Sequence, residues 1–146
     1  MSHRIHLTNP RLLEEPAFRP PVFHTQQLSK PFISHAQRIF KYQYNIPLIL
    51  ITLGKDGSRA YYKDLRVEVK PFLQDSTIET TGAGDTFGGC CLHHVLKYGL
   101  DNLDEEKLTE MLTFANAAAS IVTTRKGALR VMPEVEEVEA FIKSRA

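Results

Sequence analysis

All 8 glycines of this 146-residue chain lie between Gly54 and Gly127. Five of its 8 prolines (Pro10, Pro16, Pro20, Pro21 and Pro31) lie within the first 31 residues. The opening segment therefore has chain breakers but no residue that reaches positive φ at low cost. It reads as an irregular arm over residues 1–34. The folded portion is expected over residues 35–146, where tight turns and close backbone approach to a ligand are available.

Within that portion the pattern alternates between strand-like and helix-like signals. Ala36, Ile39, Phe40 and Tyr44 give a short helical spacing. Pro47–Leu53 is a continuous apolar, β-rich run, the kind found in strands covered on both faces of a parallel sheet. Gly54-Lys-Asp-Gly57 reads as a turn. Ser58–Tyr62 and Leu65–Val69, separated by Lys63-Asp64, predict a hairpin. Ile78–Thr81 predicts a short extended stretch. A helix is expected over Asp85–Tyr98, with Phe87, Cys91 and Val95 inward and Gly99 closing it. A second follows over Glu105–Thr124, with Leu108, Met111, Leu112, Ala115, Ala118, Ala119 and Val122 on one face. A third starts at Pro133, with Val135, Val138, Phe141 and Ile142 inward. The order predicts an α/β half-fold rather than a closed symmetric domain.

Composition narrows the function classes. Lysine plus arginine number 18 against 17 acidic residues, a net charge of +1. No basic excess points to nucleic acid or to an anionic membrane. The apolar run Ile46–Leu53 falls far short of the ~20 residues that span a bilayer, and the polar start has no apolar signal core. The adjacent Cys90 and Cys91 form neither a disulfide framework nor a CxxC motif. A reducing, cytoplasmic setting is expected.

The chemistry is concentrated in Glu79-Thr-Thr-Gly-Ala-Gly-Asp-Thr-Phe87. Thr80 and Thr81 favour extended backbone. Gly82-Ala83-Gly84 turns sharply into a helix, whose first amides and positive dipole end make a main-chain anion hole. Asp85 stands at its edge. A carboxylate beside a phosphate suits a proton acceptor for an attacking hydroxyl. The plainer reading is a helix-capping aspartate. Two other phosphate motifs are excluded. GxxxxGK[ST] is absent, and the third glycine of GxGxxG would fall on Phe87.

Thr80–Phe87 resembles the C-terminal signature of the ribokinase-like, phosphofructokinase B-type carbohydrate kinases. Thr52-Leu-Gly-Lys-Asp-Gly57 resembles that family's nucleotide-side turn, Phe114–Ala119 its adenine-flanking helix, and Thr124–Ala128 the loop that follows. The texture is closest to bacterial fructokinases. The resemblance covers about Ile46 to Phe141, the C-terminal half of a three-layer α/β/α fold. It implies that Asp85 is the catalytic base. Gly82, Ala83 and Gly84 would stabilise the transferring phosphoryl, and Thr52, Gly54, Gly57 and Asn116 would line the nucleotide. It implies ATP with Mg²⁺ and a small-molecule sugar as partners, with no nucleic acid or membrane. It also implies a monovalent cation near Thr81 and Gly127, although the family pattern has Asp where this chain has Glu79.

The family's domain is about twice this length, and the segment carrying the sugar contacts has no counterpart here. Little activity is expected from the chain alone. Its partners would be the missing N-terminal half or a second copy. The alternatives are a non-catalytic nucleotide-binding or dimerising remnant, and a kinase acting on a ketogluconate, a nucleoside or a hydroxymethyl-pyrimidine. Scattered histidines with no HxxxH or HExxH spacing argue against a metal centre, and Cys90 and Cys91 read as packing residues. Arg125, Lys126 and Arg130 read as a solvated loop, with phosphate contact as the alternative.

Overall fold

The computed structural model describes residues 38–40, 43–127 and 129–145. The arm over 1–34 lies outside them. Residues 38–40 are helical, but residues 43 and 44 are already in a turn and bend, so Tyr44 is not part of that helix. Residues 36, 37, 41 and 42 lie outside the described set.

Three strands follow: β1 (Leu48–Thr52), β2 (Ser58–Tyr62) and β3 (Leu65–Val69). They form one antiparallel sheet in the order β1-β2-β3, with Leu50 opposite Ala60 and Ala60 opposite Val67. The hairpin has the predicted limits, and Lys63 takes the positive φ of its turn. The expectation for the apolar run is corrected. β1 is a half-buried edge strand, not a strand covered on both faces. Leu53–Gly57 reverses the chain at once, so the neighbour of β1 is the antiparallel β2. No strand lies beside its other edge among the described residues. Leu48 and Leu50 pack on the core, as the alternation of a strand requires.

Three helices complete the described fold: α1 (Ala83–Tyr98), α2 (Glu105–Thr123) and α3 (Val135–Arg145). α2 is the central element. Its N-cap Asp104 accepts from the Lys107 amide at 2.9 Å. Leu108, Met111, Leu112, Ala115 and Val122 are fully buried, each long side chain contributing roughly 1.5–3 kcal/mol of burial. The small residues let neighbours approach closely. Ala60, Tyr62 and Val67 of the sheet and Phe87 and Cys91 of α1 meet α2 in one cluster. Val138, Phe141 and Ile142 of α3 meet Ala117, Ala118 and Ile121 in a second. Val135 was expected inward and is half exposed, because α3 begins at that residue rather than at Pro133.

α1 also begins two residues earlier than predicted. Gly82, at φ +80°, serves as its N-cap and Asp85 falls inside the first turn. Its inward face is Phe87, Cys91 and His94. His94 is buried there as well, its Nδ1 paired with the Cys90 carbonyl at 2.9 Å, while Val95 is partly buried against the same core as expected. On the opposite face Leu92 and Leu96, one turn apart, are 59% and 76% exposed.

Candidate functional site

A cleft of about 700 Å³ opens between the β1–β2 turn, the connection after β3, α2 and the start of α1. This volume falls in the range of small-molecule sites. Four segments distant in sequence build it, and each is held by identifiable groups.

The first wall is the β1–β2 turn, which contributes Thr52, Gly54, Lys55 and Gly57. Gly57 cannot be replaced cheaply. It has φ +91°, and a Cβ there would lie 2.1 Å from the Val69 carbonyl oxygen. That close approach docks the turn against the end of β3.

The second wall is the irregular connection Pro71–Thr77, which supplies Phe72, Leu73 and Gln74. Side chains of α2 hold it in place. Asn116 Nδ2 donates to the carbonyls of Val69 (3.3 Å) and Lys70 (3.1 Å). One turn on, Ser120 Oγ donates to the Phe72 carbonyl at 2.5 Å. The Phe72 ring packs on Phe141 of α3, with centroids 5.5 Å apart. Asn116, Ser120 and Thr123 also line the cleft.

The third part is the start of α1. Ala83, Gly84 and Phe87 line the cleft, and Asp85 is exposed immediately beside it. The Ala83 amide donates to the Thr80 carbonyl at 3.2 Å, and the Thr86 amide to Gly82 at 2.9 Å. The amides of Gly82, Gly84 and Asp85 have no hydrogen-bond partner among the described residues. The helix start therefore presents open donors and its positive end beside the cleft.

Behind this turn, the segment entering it is stitched to the end of α2. Ile78 and Glu79 donate their amides to the Thr123 carbonyl at 2.8 and 3.3 Å. The Glu79 carboxylate accepts from the Gly127 amide at 2.8 Å. Thr81 is exposed, and neither it nor Gly127 lines the cleft.

The predicted residues thus converge in part. Thr52, Gly54, Gly57, Asn116, Ala83 and Gly84 share one cavity, with Gly82 and Asp85 at its border. The wall Pro71–Thr77 was not predicted, because it has no periodicity. Its one sequence signal is a polar stripe at Asn116, Ser120 and Thr123 on an otherwise apolar helix. Arg125 does not line the cleft. It donates to the Val131 carbonyl at 3.0 Å and pairs with Glu137. Burial pushes the Cys91 thiol up to about 12 and raises Cys90 as well, which suits packing rather than redox chemistry. No group of three metal-binding side chains occurs among the described residues, and no helix there is long and apolar enough to cross a membrane.

Comparison with known proteins gives consistent matches. The pattern described as pfkB family carbohydrate kinase matches residues 29–135. The Arabidopsis thaliana protein named "Probable fructokinase-4" is 42% identical over 99 residues, covering 68% of this chain and 30% of its own length. Fructokinase-1 of Zea mays is 41% identical over 96 residues, covering 66% and 29%. The structure of Arabidopsis thaliana ribokinase complexed with ribose and ATP aligns with a TM-score of 0.65 at 28% identity, over 79% of this chain and 35% of that one. The structure of fructokinase from Vibrio cholerae O395 with fructose, ADP and calcium aligns with a TM-score of 0.64 at 26% identity, over 74% and 34%. The chain thus spans about 30% of the length of the curated relatives it matches.

Proposed function

Because the chain belongs to the pfkB family of carbohydrate kinases, we propose that it is the nucleotide-side portion of an ATP-dependent sugar kinase of fructokinase type. The sugar-binding portion is the part of the domain that this chain does not span. The observation that carries this reading is the cleft itself. Its walls come from Thr52–Gly57, Pro71–Thr77 and Asn116–Thr123, and it ends at the open amides of the α1 start with Asp85 alongside.

ATP would lie with its base and ribose between the β1–β2 turn and α2, and its phosphates toward Gly84. A sugar hydroxyl entering from the Asp85 side gives its proton to that carboxylate. The oxygen forms a bond to the γ-phosphorus as the bond to ADP breaks. The amides of Gly82, Gly84 and Asp85 offset the charge on the transferring group, aided by the dipole of α1. Ala83 contributes shape rather than a donor, since its amide is held by Thr80. Asp85 is solvent-exposed, which leaves it accessible to a hydroxyl. With no metal-binding cluster among the described residues, Mg²⁺ would arrive on the nucleotide, held by phosphates and water. The free thiols of Cys90 and Cys91 suit a reducing compartment such as the cytoplasm.

Calorimetry with ATP, followed by a coupled assay for ADP with fructose, tests the reading. Saturable ATP binding without turnover is expected from the chain alone. Turnover is expected once the N-terminal portion of a plant fructokinase is added. No ATP binding under either condition would overturn the proposal.

A further inference from the structure

The family resemblance implies a monovalent cation beside the anion turn, and the geometry around Glu79 does not fit one. A cation site needs several oxygens with free lone pairs converging on one point, and no N–H aimed at the same point. Here the Glu79 carboxylate already accepts from the Gly127 amide at 2.8 Å. That N–H is aimed at the Glu79 oxygen that a cation would otherwise use, so its positive end opposes a cation there. Two of the neighbouring oxygens are also engaged. The Thr123 carbonyl accepts from both Ile78 and Glu79, and the Thr80 carbonyl accepts from Ala83.

We propose that the Glu79 side chain takes the place of the ion: its carboxylate clips the loop at Gly127 to the segment that enters the anion turn, so this chain closes that region without a monovalent cation. The two residues are 48 positions apart, so the bond adds a side-chain tie between segments remote in sequence, beside the amide bonds from Ile78 and Glu79 to Thr123. A hydrogen bond to a charged acceptor is among the stronger single bonds in a fold. The added methylene of glutamate, relative to the aspartate of the family pattern, supplies the reach.

Two measurements on the intact chain test this without nucleotide or sugar. One is the melting temperature in potassium, sodium and choline chloride at matched ionic strength. The other is hydrogen exchange at the Gly127 amide. Equal melting in all three salts and a protected Gly127 amide are expected. Glu79→Ala should accelerate that exchange at least ~10-fold, as loss of a charge-assisted bond implies, and lower melting by about 2–4 °C. Glu79→Gln, which keeps the acceptor oxygen, should retain most of the protection. A saturable stabilisation specific to potassium, or an unprotected Gly127 amide in the unaltered chain, would overturn the inference even if Glu79→Ala fails to fold. Since neither readout involves ATP, this inference and the kinase proposal can fail separately.

Discussion

Gly57 and Asp85 show two kinds of constraint at single positions. Gly57 is held by backbone geometry. Gly57→Ala places a Cβ 2.1 Å from the Val69 carbonyl at φ +91°, so backbone must move. A loss of about 2–4 kcal/mol is expected, read from the urea midpoint of the chain. Asp85 is held by no contact. Its side chain is exposed and makes no hydrogen bond or ion pair among the described residues. Asp85→Ala should leave the melting temperature unchanged within a degree or two. In the reconstituted kinase it should lower kcat by ~10²–10⁴, the usual contribution of a general base. A large loss of stability with little loss of turnover would reverse both assignments. The buried hydroxyls of Ser58 and Thr86 are a third kind of position, since neither has a hydrogen-bond partner among the described residues. Such groups are destabilising where they stand.

At the scale of elements, α2 carries both the core and one wall of the cleft. Asn116→Ala would strand the carbonyls of Val69 and Lys70 and is expected to cost about 1–3 kcal/mol. The same change should weaken ATP binding, because the Pro71–Thr77 wall loses an anchor; calorimetry on the variant checks this. The start of α2 gives a pH dependence. The side-chain hydrogen bond from Lys107, together with its amide, holds the Asp104 carboxyl below the ordinary carboxylate range. A depressed folded value means that the stabilisation is present above the unfolded value of ~3.9 and is lost as pH falls through the folded one. Melting should therefore be flat from this source between about pH 5 and 8 and decline below about pH 4. Asp104→Asn keeps a capping oxygen but should remove that acid limb.

Much of this layout was legible before the structure. The hairpin limits follow from two β-rich runs around Lys63-Asp64, and α2 from its apolar stripe. Both signals are local. The burial of β1 differs from the expectation because an apolar run states a preference, whereas its neighbours are set by chain reversal at Leu53–Gly57. The α1 start was placed late because aspartate favours the cap, while the αL conformation of Gly82 fills that role here. That Thr52, Gly54, Gly57 and Asn116 lie on one cleft is readable through the resemblance. The Pro71–Thr77 wall is not, because its shape depends on side chains more than 40 residues away.

At the scale of the molecule, the described residues leave apolar surface exposed. β1 has a free edge among the described residues, and Leu92 and Leu96 form an exposed apolar pair on α1. Free edges and apolar patches promote association. Sedimentation should show concentration-dependent self-association. Leu92→Lys with Leu96→Glu should reduce it without lowering the melting temperature, since neither side chain is in the core. An unaltered chain that stays monomeric at high concentration would contradict this expectation.

The two α2 side chains that suspend the Pro71–Thr77 wall have a broader consequence. If the cleft holds nucleotide as proposed, heat tolerance and ligand retention share the same supports. Variants selected only for thermal resistance through that helix should shift nucleotide affinity as a by-product, while variants selected elsewhere should leave it alone.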